Sequence, residues 1–402
     1  MITKKRRIAL VTPGLQYGGG APSMTSFLYQ ALHQQCGYEV YLFSLAMSAR
    51  DDNSVQLTVP QSWSKGVSLC VGSWRGWPVT FVGAMGSELE PQRMRPRAIL
   101  DRLLSRYDLV QVVAGTPAWG LVVSQVARPR CLYVATTIAE DRRSFLRQVK
   151  GWRSVWYHVM TVWNARLERE ALKTMDHVFS LSPYTRRQLD GFVAEDKHSL
   201  AYPGIDTTVF FPAEIYAVEG PLISVGRFSD PRKNFPLLLA VYRDIRQECP
   251  ASPHLLLVGT PPTENDWKQA ELWGLTPYIH AVGEKSAAEL ATLYRQASLF
   301  VLSSDEEGLG IVILEAMACG LPVVSTRSGG PESCVQYGVT GYLTPVGDAR
   351  TMAVKILSLL SKPEQRRQFG VAGQRAVKQA YSLEAAGATF LSVYDRLLNE
   401  SP

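Results

Sequence analysis

Cysteine is scarce and unpatterned in this chain: Cys36, Cys70, Cys131, Cys249, Cys319 and Cys334 are scattered over 402 residues, with no CxxC pair and no metal-like spacing. That excludes a disulfide-stapled scaffold and a zinc site, and it implies reduced core cysteines in a cytosolic protein. No stretch reaches the roughly 18 consecutive apolar residues of a membrane span. The basic start, Met1 to Arg7, is followed by an apolar run of only Ile8 to Val11, too short for a secretory leader, so a first buried strand is expected there instead. The dinucleotide fingerprint G-x-G-x-x-G is missing. No Asp-x-Asp triplet occurs to set a divalent metal beside a diphosphate. Internal repeats and low-complexity linkers are lacking as well.

What is present is a globular composition, 46% hydrophobic and 19% charged, with a formal net charge of +6. The length exceeds one ordinary core and predicts two domains of roughly 200 residues each. Apolar runs at Arg7–Val11, Tyr38–Leu45, Tyr107–Ala114, Cys131–Thr137 and Asp176–Ser182 alternate with helical stretches, the pattern of a doubly wound parallel sheet. A second series follows at Leu222–Val225, His254–Gly259, Ile279–Gly283, Phe300–Leu302 and Pro322–Val324. Helices are predicted over Ala349–Leu360, Pro363–Gln379 and Leu383–Leu398. Between residues 49 and 96 the pattern is poor. Trp63, Trp74 and Trp77 there either line an acceptor site or lie buried under a loop.

The most informative stretch runs from Ser303 to Glu332. Its strand at Phe300–Leu302 enters an acidic, glycine-broken loop, then a helix over about Gly310 to Ala318 that Gly320 stops as a left-handed cap. Glu307 and Glu315 are separated by seven residues. Eight steps of helix span roughly 12 Å, more than the about 5 to 9.5 Å between the carboxylates of glycoside-hydrolysing pairs. The layout suits an elongated ligand gripped at two hydroxylated places. The backbone amides of Gly308, Leu309 and Gly310 lie at the positive end of the helix, where a phosphate is stabilised. A nucleotide-sugar has this order of parts: sugar, diphosphate, ribose. Glu315 is the lone carboxylate of an otherwise apolar helix, Ile311 to Ala318, and so requires a partner or a ligand.

Three other segments carry chemistry. The loop from Pro13 to Gly20 ends in Gly18-Gly19-Gly20 at a helix start, which reads either as an anion cradle or as a plain flexible turn. Gly226-Arg227 and Lys233-Asn234 put two cations after a strand, a pattern that either neutralises a diphosphate or simply decorates a surface turn. Arg142 to Lys173 is a helical region striped with Trp152, Trp156 and Trp163. It holds eight cations (Arg142, Arg143, Arg147, Lys150, Arg153, Arg166, Arg169, Lys173) against Glu168 and Glu170, a surplus of six. Such a helix either lies on an anionic bilayer or packs its Trp stripe on the first domain.

The run E-G-L-G-I-V-I-L-E-A-M-A-C-G-L-P-V-V-S-T, continuing to G-G-P-E and G-V-T-G-Y-L, resembles the E-x7-E signature of the retaining, GT-B-fold glycosyltransferases of family 4. The likeness is dense from Val225 to Pro345 and looser before it. It implies an α/β fold, GT-B, of two Rossmann-like doubly wound domains facing across a cleft. The expected division is an acceptor domain over 1–205, a donor domain over 206–380, and a last helix over 381–402 crossing back to the first domain. The turn Ala201 to Asp206 resembles the family's interdomain turn.

The resemblance further implies transfer of a sugar from a nucleotide-diphosphate donor, with retained configuration, to a saccharide or lipid-linked acceptor in cell-surface polysaccharide or glycoconjugate synthesis. Catalytic roles fall to Arg227 and Lys233, which neutralise the leaving diphosphate, and to Glu307, which holds the sugar hydroxyls. Donor binding falls to Gly19, Gly20, Val282, Gly283, Gly308, Leu309, Gly310 and Glu315. No metal, cofactor or nucleic acid is expected, and the location is cytoplasmic or peripheral at the inner membrane face. Two departures stand out. The turn Arg227 to Lys233 has one residue more than the family's, leaving Arg232 as a rival for the lysine's role. The histidine that many members place near the reacting sugar is absent; this chain offers Gln111 or Val113 in one strand and Thr136-Thr137 in another, with Asp141, Arg142 and Arg143 downstream either standing in or forming a surface cluster. The rivals are therefore a GT-B-fold epimerase or phosphorylase and a catalytically inactive sugar-nucleotide-binding protein.

Overall fold

The computed structural model describes residues 5–17, 19–35, 38–48 and 50–400. Gly18, Cys36 and the side chain of Arg147 lie outside the described residues. The chain divides into two units, one running to Gly204 and resuming at Leu383, the other spanning Ile205–Ser382.

Among the described residues the first unit holds eight strands: β1 (Arg7–Pro13), β2 (Glu39–Leu45), β3 (Leu69–Trp74), β4 (Trp77–Val82), β5 (Leu109–Ala114), β6 (Arg130–Val134), β7 (His177–Ser180) and β8 (His198–Leu200). They lie in the order β3-β4-β2-β1-β5-β6-β7-β8. All pairs are parallel except β3 with β4. The central strands read as nearly unbroken apolar runs because helices cover both faces; every residue of β5 is buried. The poorly patterned 50–96 stretch contributes the β3–β4 hairpin at the sheet edge. Trp77 there stacks on Tyr29 at 4.3 Å, whereas Trp63 is exposed.

The final helix, Leu383–Glu400, belongs to this first unit. Its Phe390 packs against Phe27, Tyr133 and Phe179, and the Tyr394 hydroxyl donates to Gln111 Oε1 at 2.7 Å. A side chain at Gly204 would meet the Phe27 ring at 2.5 Å, so glycine there lets the chain leave the unit beside this helix.

The second unit is a six-stranded, all-parallel sheet: β9 (Leu222–Val225), β10 (Leu255–Val258), β11 (Ile279–Ala281), β12 (Leu299–Leu302), β13 (Val323–Thr326) and β14 (Gly341–Thr344), in the order β11-β10-β9-β12-β13-β14. The Phe235–Glu248 helix buries Phe235, Leu238, Val241, Tyr242 and Ile245 in the core of this unit. Gly370 approaches the Gly320 carbonyl so closely that a Cβ would lie 1.9 Å from it; this lets the Pro363–Ala380 helix sit against the end of the Ile311–Ala318 helix. The two sheets bear out the expected fold class.

Among the described cysteines none is bonded to another; Cys131, Cys319 and Cys334 are buried, and Cys70 is exposed. Among the described residues no helix is long and apolar enough to cross a membrane.

Candidate active site

Among the parallel strands of each sheet the order reverses direction once, at β1, which lies between β2 and β5, in the first and at β9, which lies between β10 and β12, in the second. Open α/β sheets bind ligands outside the carboxyl ends of the strands at that switch point, because the connections leave there in opposite directions and open a crevice. The loop that ends in Gly19 and Gly20 follows β1, and the loops that carry Lys233 and Glu307 follow β9 and β12.

The β9 loop ends in a short turn, Pro231–Lys233, capped by the Asp230 side chain. Asn234 then adopts a left-handed conformation and caps the next helix by accepting from the Leu237 amide. Asp230 decides which cation is available. It binds Arg232 through two guanidinium nitrogens, at 2.7 and 3.1 Å, and Arg227 at 3.0 Å. Burial raises its pKa, but the hydrogen bonds and charge of Arg232, with help from Arg227, outweigh that and hold the carboxyl below its ordinary range. Arg232 is thereby turned to Asp230, and Lys233 is left for Glu307: Nζ donates to Oε2 at 2.6 Å, with both side chains only 17% exposed. The sequence favoured Lys233, before Asn234, over Arg232; here Lys233 meets Glu307 and Arg232 meets Asp230.

Two further bonds join these loops. Asn234 Nδ2 donates to Asp305 Oδ1 at 2.6 Å, and the Asp305 amide donates to the Arg232 carbonyl at 2.8 Å. Ser304 Oγ adds a second donor to Glu307, at 3.2 Å. The other side of the acidic loop is tied to the turn after β13: the Glu307 amide donates to the Ser328 carbonyl at 2.9 Å and the Gly330 amide to the Glu307 carbonyl at 2.7 Å. Gly308, Leu309 and Gly310 follow immediately. Gly310 is in the left-handed region, at φ 87°, and is the N-cap of the Ile311–Ala318 helix. The acidic loop therefore leads straight to a helix N-terminus, held on both flanks.

Glu315 is half-buried. The Tyr294 hydroxyl donates to its Oε2 at 3.3 Å and, at the same distance, to the Val312 carbonyl. Burial pushes the Tyr294 phenol well above its ordinary value, and the Glu315 charge adds to this, so the phenol stays a donor. The lone carboxylate thus has a neutral hydrogen-bond partner. Val282 and Gly283 follow β11, where the Gly259 amide donates to the Gly283 carbonyl at 2.9 Å. Arg227, 47% exposed, touches Asp230 and not Glu307. Gly19 and Gly20 belong to the first unit, at the start of the Gly20–Gln30 helix.

The candidates for the missing histidine fare differently. Gln111 is fully buried in mid-strand, accepting from Tyr394 and donating to the Val112 carbonyl, so it is core and not a site residue. Val113 is fully buried as well. Arg142 is paired with Glu90 and Arg143 with Glu140, which also accepts from Tyr184. Gln188, which the sequence did not single out, accepts from the Thr137 amide at 3.3 Å and from the Thr136 and Thr137 hydroxyls at 3.5 and 3.4 Å at the end of β6. Nothing in its local pattern marks it; only the fold brings it there. Among the described residues no group of three or more His, Cys, Asp or Glu is arranged to hold a metal ion.

Residues 18–209 match the family model described as Glycosyltransferase Family 4, and residues 220–362 match that of Glycosyl transferases group 1. N-acetyl-alpha-D-glucosaminyl L-malate synthase of Bacillus anthracis is 35% identical over 111 residues, 28% of this chain and 29% of that protein. Phosphatidyl-myo-inositol mannosyltransferase of Mycobacterium leprae is 30% identical over 195 residues, 48% of each chain. The matched regions thus span half or less of these relatives. Among solved structures, Anabaena Alr3699/HepE in complex with UDP-glucose superposes with a TM-score of 0.73 at 16% identity, covering 97% of this chain and 99% of that one, and so shares the fold. Taken together, the two matched halves, the two switch-point sheets and the E-x7-E loop show that this chain belongs to the GT-B-fold glycosyltransferases of family 4.

Proposed function

We propose that the chain transfers a sugar, with retained anomeric configuration, from a nucleotide-diphosphate donor to a saccharide or lipid-linked acceptor in polysaccharide or glycoconjugate synthesis. The observation that carries this is the 2.6 Å pair of Lys233 and Glu307 at the β9/β12 switch point. An ammonium has three protons to give, so Lys233 can hold Glu307 with one while others meet a phosphate oxygen. Glu307 in turn accepts from the sugar hydroxyls. The amides of Gly308 to Gly310 and the helix behind them favour the negative charge that grows on the departing diphosphate, the type of fixed electrostatic help that counts most in such reactions. Arg227 adds a more exposed cation. Val282 and Gly283 meet the base through backbone, and Gly19 and Gly20 are assigned to donor binding. The relatives agree in chemistry: one is named for a phosphatidyl-inositol acceptor, and one solved neighbour holds UDP-glucose.

In this reading Lys233 and Arg227 supply the charge that a divalent ion supplies elsewhere, so donor breakdown proceeds in EDTA. Activity abolished by EDTA and restored by magnesium or manganese contradicts that assignment. Glu315 grips the ribose. Glu315→Gln keeps an acceptor but loses the charge-assisted bond, worth about 1.5 to 3 kcal/mol, so calorimetry should find the bare nucleoside diphosphate bound roughly 10- to 150-fold more weakly. Unchanged nucleotide affinity removes the ribose role.

The experiment that tests the function as a whole is incubation with a panel of labelled sugar-nucleotides. Release of nucleoside diphosphate, with the first-formed sugar product in the donor's anomeric configuration, supports the proposal. Interconversion of one sugar-nucleotide into another identifies an epimerase, and binding without turnover identifies an inactive binding protein.

A further inference from the structure

The helical region expected over Arg142 to Lys173 is in fact two helices, Arg143–Gln148 and Trp152–Thr174, broken at Gly151, which sits at φ 69°. The longer one carries two apolar faces. Met160, Leu167, Ala171 and Leu172 are buried against the first domain. Trp152, Val155, Trp156, Val159, Val162 and Trp163 are exposed, the three indoles at 78%, 49% and 45%. The stripe therefore does not pack on its own domain. At about 100° per residue these six positions fall within an arc of about 120° and extend about 16 Å along the axis. They form one continuous apolar strip facing solvent, which needs an occupant.

Charge identifies it. Lys150 and Arg153 flank the start of the strip, and Arg166, Arg169 and Lys173 lie exposed beyond its far end. Of the two acids in this helix, Glu170 is 3.8 Å from Arg95. Glu168 is buried, its carboxyl pushed up to about 8 by that burial against the pull of the Ile138 amide, and faces away from the strip. An isologous dimer through this face would set the five cations against their own copies. Tryptophan flanked by lysine and arginine suits instead the boundary of a bilayer whose headgroups are anionic, with indoles at the headgroup level and cations outside them.

We propose that the Trp152–Thr174 helix docks this chain on an anionic lipid bilayer. The inference is independent of the donor chemistry. Its consequence lies on the acceptor side: from the opposite face of the same helix, Glu168 accepts from the Ile138 amide at 2.8 Å, just past the carboxyl end of β6. Docking fixes that ligand-binding edge of the first sheet next to the membrane, where a lipid-linked acceptor presents its headgroup.

The test is cosedimentation of the full chain with vesicles of phosphatidylcholine alone or mixed with phosphatidylglycerol, with indole emission as a second readout. The wild type is expected to bind the mixed vesicles at low salt, to leave them at high salt, and to shift its emission to the blue. Lys150→Gln, Arg153→Gln and Arg166→Gln combined should lower partition about a hundredfold, at about fivefold per cation. Trp152→Ser, Trp156→Ser and Trp163→Ser combined should abolish the blue shift; should that variant fail to fold, the charge variant still decides. Absence of binding by the wild type, or equal binding by the variants, overturns the proposal. So does concentration-dependent self-association that the tryptophan variant loses, because the occupant is then a second copy. Breakdown of soluble donor should be equal in all folded variants; a wild type that binds vesicles as described yet releases no nucleotide refutes the donor reading and leaves this one standing.

Discussion

Replacing Lys233 by alanine is expected to lower donor turnover about a hundred- to a thousandfold while leaving the fold intact. The magnitude is that of removing one preorganised group from the place where charge develops in the transition state. Lys233 meets that description because three independent contacts fix it: the Asp230 cap sets its turn, Asn234 ties that turn to Asp305, and Glu307 holds its ammonium. The substitution leaves Glu307 without its cation in a site that is mostly buried. The remaining hydrogen bond from Ser304 limits the cost in stability to about 1 to 3 kcal/mol. Lys233→Arg should recover part of the activity, since it restores charge but not the position of a single ammonium. Steady-state release of nucleoside diphosphate, with a melting curve as control, is the measurement. Arg232→Ala is the discriminating comparison: its guanidinium is engaged by Asp230, so its removal should cost far less than that of Lys233.

Gly330→Ala should be nearly as damaging, although Gly330 bears no functional group. Its φ of −66° is open to any residue, so conformational freedom is not the reason for glycine. Space is: a Cβ there would lie 2.3 Å from both Leu309 Cα and Leu309 N and 2.5 Å from the Gly308 carbonyl carbon. None of these is the end of a flexible side chain, so the 307–310 loop itself must move. A displacement of about 1 Å of a binding loop costs about a hundredfold in kcat/KM, and overpacking costs about 1 to 3 kcal/mol in stability. A variant that melts near the wild type but loses donor affinity fits this account. Full retention of kcat/KM would mean that the loop can shift without consequence, and that its amides do not position the donor.

The loops after β9 and β12 were legible in the sequence because their signals are local. Apolar runs ended at glycine, the E-x7-E spacing lay within one strand-loop-helix unit, and the helix predicted from about Gly310 is found at Ile311–Ala318 with Gly310 as its cap. The preference for Lys233 over Arg232 was legible from its place before Asn234, but the capture of Arg232 by Asp230, in a turn one residue longer than the family's, was not. That Gln111 is a core residue was not legible, since its partner, Tyr394, arrives 283 residues later in the chain. The basic helix was ambiguous for another reason. Its apolar spacing marks a helical stripe but not what covers it, and only the packed domain shows that Met160 and Leu167 are buried while the tryptophans are not. Gly330 could be seen in the sequence, but the close approach that requires it could not.

Whether the switch-point pair builds a donor site is tested most directly by one measurement. Wild type and Lys233→Ala are each incubated in EDTA with the panel of labelled nucleotide-diphosphate sugars, and release of nucleoside diphosphate is followed. At least one donor is expected to be broken down by the wild type without added metal, with Lys233→Ala releasing about a hundredfold less from the same donor. Equal release by the two proteins, or no release from any donor by the wild type, would contradict it.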